Sequence, residues 1–110
     1  MTQPQRVSGP DGFNTAAITV SNAAKLITDA GFAWGVNDVN LAEEVYITPR
    51  NAGIMVTWSG VAPTANLGHY VGQNSTLIVK GFADIRALQF IREGAVDAIV
   101  TVTLSKFPGN

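Results

Sequence analysis

The 110-residue chain carries seven Lys or Arg and eight Asp or Glu, a formal net charge of −1 and 14% charged residues, where an ordinary soluble domain has roughly 25%. It lacks a basic field for the phosphate contacts that dominate nucleic-acid affinity, and with no cysteine it has no disulfide framework, thiolate metal site or Cys nucleophile. No apolar run approaches the roughly 18 residues of a membrane-spanning helix, so neither nucleic acid nor membrane is an expected partner, and the length suits one domain.

In chain order, residues 1–14 are dominated by Gly, Pro, Gln, Ser and Asn and read as a flexible N-terminal arm; the apolar stretch of a signal peptide is missing from it. Residues 15–107 form the expected domain, and 108–110 a C-terminal tail. Ala16, Ile18 and Val20 alternate with Ala17 and Thr19, the period of a half-buried strand. Between Ser21 and Gly31 the apolar spacing of Ala23, Leu26, Ile27 and Ala30 fits a helix, yet Leu26 and Thr28 also fit a strand. The segment reads as an irregular or one-to-two-turn helical excursion. Residues 32–40 read as a loop with apolar plugs at Phe32, Trp34 and Val36.

Beyond position 40 the alternation is regular. Glu44 to Thr48 and Ile54 to Ser59 read as the two arms of a hairpin turning at Pro49, Asn51 and Gly53, with Trp58 in the core and its indole N–H in need of a partner. Residues 60–74 form a long turn-rich connection. Strands are then expected over Ser75–Lys80, Ile85–Arg92 and Ala98–Ser105, the last with Ala98, Val100, Val102 and Leu104 inward and Ile99, Thr101, Thr103 and Ser105 outward. The fold class is therefore mainly β: an antiparallel β-sandwich or jelly-roll-like barrel of about six to eight short strands with at most one short helix.

Reaction templates fail on inventory. The single histidine, His69, cannot build a multi-histidine metal site. A catalytic triad would need it to meet Ser75 or Thr64 and a distant acid such as Asp84; the ordinary role for a histidine between Gly68 and Tyr70 is to pin a loop by hydrogen bonds. Asp84, Glu93 and Asp97 sit where solvated strand ends are expected, as do Glu43 and Glu44. The glycines at 53, 60, 68 and 72 match no phosphate-binding fingerprint, and Asn74-Ser75-Thr76 matches the N-glycosylation pattern only formally. No catalytic residue, metal, cofactor or small-molecule substrate is expected. Trp34, in a Gly-rich loop, and Tyr70 are the candidate exposed contacts.

One stretch is more specific. Gly60-Val61-Ala62-Pro63-Thr64 followed by Gly68-His69 resembles the G-x-x-P-T-x-x-x-G-H signature of a group of small tailed-phage virion proteins. An Ala-rich segment with Leu26, the acidic pair at 43–44, Ile54, a Gly-bounded strand at 77–81, the run Ile85, Phe90, Ile91, Arg92 and a closing Ala-x-Val-x-Val strand extend the likeness over roughly residues 16–105. An acidic residue commonly precedes the first motif glycine in that group; here Ser59 stands. The resemblance implies a non-enzymatic β-sandwich of the virion, most specifically a decoration or cement protein on the phage head surface, assembled in the host cytoplasm. The expected partners are the major capsid protein and further copies of the chain, expected as a trimer. In its own chemistry the motif makes a rigid loop: Pro63 fixes φ, Gly60 and Gly68 permit positive φ, and Thr64 can bond its own turn. A tail or head–tail connector component, and a carbohydrate-binding module using Trp34 and Tyr70, are the alternatives.

Overall fold

The computed structural model describes residues 11–106; residues 1–10 of the expected arm and the 108–110 tail lie outside them. Eight strands run β1 (Asp11–Val20), β2 (Lys25–Leu26), β3 (Glu44–Arg50), β4 (Ile54–Thr57), β5 (His69–Val71), β6 (Leu77–Lys80), β7 (Gln89–Arg92) and β8 (Ala98–Lys106). Two short helices interrupt them, α1 (Val36–Leu41) and α2 (Phe82–Arg86), together with a 3-10 turn at Ala30–Phe32. All pairing within the sheets is antiparallel: one sheet has the order β1-β8-β3-β6, the other β2-β7-β4-β5.

The ladders are nested. β4 pairs with β5, β3 with β6, β2 with β7 and β1 with β8. The chain is thus one long two-stranded ribbon, folded back between β4 and β5 and rolled so that alternate stretches fall in opposite sheets. The seams β3–β8 and β4–β7 close the roll. This is a jelly-roll arrangement of a β-sandwich, in agreement with the mainly β class read from the sequence.

The alternation of residue types drives it. On β8, Ala98, Val100, Val102 and Leu104 are all fully buried, while Ile99 between the first two is 44% exposed. Val45 and Ile47 of β3, Val79 of β6 and Ile18 and Val20 of β1 complete the inner layer of that sheet; Ile54 and Val56 of β4, Phe90 of β7 and Val71 of β5 face them. One continuous core results.

Rolling the ribbon sets the two ends of the sandwich. At one end, backbone bonds tie neighbouring connections together: Arg92 N donates to Ser21 O (3.1 Å), Asn74 N to Pro49 O (2.8 Å) and Glu93 N to Gly53 O (3.2 Å). Asn51, at a left-handed φ of 73°, turns its side chain onto Asp97 O at 3.1 Å. The opposite end takes the connections that hold α1, α2 and residues 58–68. There α1 and α2 pack on each other, burying Val39, Ala42, Ile85 and Leu88, while Gly81 N donates to Glu43 O and Glu43 N to Ser105 O.

Several sequence expectations are corrected. The expected hairpin of β3 with β4 does not form, because both edges of β3 are occupied by β8 and β6 and the Asn51 turn carries the chain across to the other sheet. Two short helices replace the single one allowed for. The 21–31 segment is irregular, as read, with the two-residue β2 followed by a single 3-10 turn, capped where Asp29 Oδ1 accepts from Gly31 N at 2.8 Å. The 32–40 loop contains most of α1, the long 60–74 connection contains β5, and α2 occupies the start of the strand expected at Ile85. Residues 11–14, assigned to the arm, already belong to β1, with a register shift between Gly12 and Asn14.

The tryptophans exchange the roles expected of them. Trp34 is only 6% exposed; its Nε1–H donates to Ile27 O at 2.9 Å, and its ring lies parallel to Phe32 at 4.9 Å. Phe32 meets Phe90 edge-on at 6.2 Å. Trp58 is half-buried at the rim. Trp34→Ala is therefore expected to cost about 3–5 kcal/mol, the range for deleting a large buried aromatic, and Trp58→Ala clearly less, as measured by urea denaturation followed by circular dichroism.

Candidate functional site

Among the expected contact residues, the structure gathers Gly60, Pro63, Thr64, Gly68 and His69 at one place, the connection from β4 to β5. Thr64 N donates to Leu67 O (3.0 Å) and Leu67 N returns a bond to Thr64 O (3.2 Å), while Asn66 N donates to Thr64 Oγ1 at 3.2 Å. The loop thus closes on itself in a miniature turn. Thr57 Oγ1 reaches over its base to donate to Val61 O at 2.6 Å, and Pro63 is buried beneath it. Gly60 and Gly68 have φ of 91° and 137°, backbone that side-chain-bearing residues rarely adopt.

His69 anchors the loop by its ring. The imidazole stacks on the Trp58 indole with centroids 4.5 Å apart and planes 14° from parallel. Among the described residues no side-chain hydrogen bond joins His69 to Ser75, Thr64 or Asp84, so the triad geometry is absent there and the loop is pinned by stacking instead of by the hydrogen bonds expected of this histidine. Beside the stack opens a groove of about 340 Å³ lined by Thr57, Trp58, Val61, Leu67 and His69 among others. Val61 is 55% and Leu67 48% exposed. The sequence pattern favoured a core place for Trp58 over a place in this site; its adjacency to the Gly60 loop was the available signal.

The other candidates lie elsewhere. Trp34 is a core plug, which removes it as an exposed contact. Tyr70, 62% exposed, projects from the far side of β5 over Gly53, where an added Cβ would fall 2.7 Å from its ring. Asp97 pairs with Arg92 at 2.6 Å on the exposed turn between β7 and β8, Glu93 lies in the same turn and Asp84 in α2. Among the described residues no group of three or more His, Cys, Asp or Glu could hold a metal ion. Asn74, of the formal glycosylation triplet, takes a left-handed φ of 67° in the turn before β6.

The outer face of the β1-β8-β3-β6 sheet is mostly uncharged. Register places Thr15 beside Thr103 and Tyr46, Ala17 beside Thr101 and Thr48, and Thr19 beside Ile99 and Arg50. Hydroxyls join across the strands, Thr15 to Thr103 at 3.0 Å and Thr48 to Thr76 at 2.8 Å. Ser105, expected to point outward to solvent, is 1% exposed, in register with Glu44 and close to Gly12. Glu44 itself is buried on this face: the Tyr46 hydroxyl donates to its carboxylate, and Lys80 Nζ stands 3.5 Å away. The hydrogen bond to Glu44, then burial, then the carboxylate's charge raise Tyr46 above the ordinary phenol value.

No protein family matches the chain, and searches of curated proteins and of solved structures return no match.

Two expectations follow from this geometry. At Gly68 an added Cβ would stand 3.1 Å from Val56 O and 3.3 Å from Met55 Cβ, whereas at Gly60 it meets nothing within 4 Å. Gly68→Ala should therefore destabilise by about 1–3 kcal/mol and Gly60→Ala by less, read from the two chemical-denaturation midpoints. For Tyr46, folding holds the phenol proton more tightly than the unfolded chain does, so its contribution is fully present below the unfolded value of about 10 and is lost as pH rises through the folded one. Stability measured up the alkaline range should fall more steeply in the parent than in Tyr46→Phe.

Proposed function

We propose that this chain is a non-enzymatic structural component of a tailed-phage virion, acting as a decoration protein that lies on the head surface and bridges neighbouring copies of the major capsid protein. The observation that carries the reading is the character of the outer sheet face. A lone sandwich guards its sheets with Lys and Glu, yet here Thr15, Thr19, Thr48, Thr101, Thr103, Ile78 and Ile99 face outward with only Arg50 and Lys80 as exposed charges among the described residues of the face, and the buried Glu44 is already engaged by Tyr46 and Lys80. Such a face loses little by being covered. The resemblance of the 60–69 motif to small virion proteins supports the same reading, and that motif forms a self-bonded loop which would lose little entropy on docking.

The mechanism is adhesive. Each copy contributes a modest contact, and separating capsid subunits also requires stripping the proteins laid across them, so the effect accumulates over many copies. A jelly roll hosts many functions and does not by itself choose among them. A carbohydrate-binding module is a second reading, favoured by the open Trp58–His69 shelf in place of the Trp34 and Tyr70 pair first expected to stack on a sugar.

Purified protein added to expanded capsids lacking it should co-sediment with them and raise their resistance to denaturant. Quantitative mass spectrometry of virions should find it at a copy number comparable to the capsid protein's; a low number assigns it to the tail or connector. Failure to bind capsids, together with glycan-array binding that Trp58→Ala abolishes, would transfer the assignment to carbohydrate recognition.

A further inference from the structure

A sandwich of two open sheets has four edge strands, each offering unpaired backbone N–H and C=O groups to any extended chain. Three of the four are blunted here. β2 is two residues long, β5 three and β6 four, and lysines sit on β2 (Lys25) and β6 (Lys80). β1 is different: it runs for ten residues, and from Gly12 to Val20 it contains no charged residue and no proline. Its inner side is laddered to β8 except at the register shift between Gly12 and Asn14. Along the other side, no backbone or side-chain hydrogen bond from another described residue reaches the strand, and the 3-10 turn at Ala30–Phe32 that packs against β1 meets it at the core-facing Ile18, beside Gly31. Every second residue of an antiparallel edge strand points its N–H and C=O away from its neighbour, so this edge is a long, neutral, ready-made template.

We infer that the free edge of β1 pairs with the same edge of a second copy, antiparallel about a two-fold axis at Ala17, merging two four-stranded sheets into one of eight strands. The sequence of β1 is self-complementary in this register. The bulge at Phe13 ends the regular ladder, so Asn14–Val20 is the straight segment, and a two-fold at its centre pairs all of it with itself. On the outer face Thr15 then opposes Thr19 of the second copy and Ala17 opposes Ala17, with small side chains at the axis. On the inner face Ala16 opposes Ile18. No like charges meet. A seam about 23 Å long and about 20 Å deep, two packed sheets thick, covers roughly 460 Å² per copy and twice that in total, the size of a weak, reversible interface. Being isologous, the contact closes at two copies, which differs from the trimer expected from the sequence. It does not depend on the capsid reading, since it concerns only how the chain meets itself.

Sedimentation equilibrium of the full chain across the micromolar range should show a monomer–dimer equilibrium, and amide exchange over Asn14–Val20 should slow as concentration rises. Ala17 is exposed, so Ala17→Lys and Ala17→Glu should fold as the parent does, by near-ultraviolet circular dichroism. Each variant alone should dimerise about 100-fold more weakly, because two like charges then face each other across the axis. An equimolar mixture of the two should recover the dimer. A parent that stays monomeric throughout, a trimer, or a dimer indifferent to both charges overturns the inference.

Discussion

The structure depends on one buried stripe, the four side chains Ala98, Val100, Val102 and Leu104 that β8 turns inward between β1 and β3. No other strand is so long and so completely buried on one face. Because β8 takes an edge of β3, and β6 the other, the chain leaving β3 has nowhere to pair and must cross to the second sheet. There Ile54, Val56 and Phe90 cover the stripe, and the Phe32–Trp34 stack closes it from the side, with the indole N–H satisfied by Ile27 O. The crossing of the chain, the two ends with their different connections and the projection of the 58–68 loop all follow from that choice of neighbours.

Period-two alternation made the β class legible wherever a strand was half-exposed, as on β8 and β3. It failed where pairing was decided by distant partners. Glu44–Thr48 and Ile54–Ser59 look like hairpin arms because Pro49, Asn51 and Gly53 are turn formers, but turn chemistry says only that the chain reverses, not which sheet it enters. Short elements escaped for a related reason: α1 covers six residues and β5 three, too few for a period to register. The loop residues Gly60, Pro63, Thr64, Gly68 and His69 were legible as a unit since each has a distinctive backbone or ring chemistry and they are close in sequence. The partner that holds the loop, Trp58, was not, because a tryptophan on an alternating strand reads as core. Burial of Trp34 in a Gly-rich segment was hidden in the same way, its acceptor lying seven residues back in irregular chain.

The scarcity of charge now has an address. Arg92 and Asp97 neutralise each other at a turn, Lys25 lies near Asp29 at 3.9 Å, and Glu44 is sunk between Tyr46 and Lys80. What is left for the broad sheet face, Arg50 and Lys80 apart, is hydroxyl and methyl, in places hydrogen-bonded strand to strand. Contacts made through such a surface are expected to depend weakly on ionic strength, since screening acts on charges and few stand on this face.

The nested ladder also has a temporal meaning. β4 and β5 are near neighbours in the chain and can meet as soon as both leave the ribosome, whereas Thr15 finds Thr103 only across 88 positions. Loop closure makes the outermost pair the slowest to form, so the ribbon closes from its fold outward, like a zip drawn toward the two ends. Throughout synthesis β1 waits with both of its edges unpaired, so the interval before β8 arrives is when this long, uncharged strand is most open to pairing with another chain.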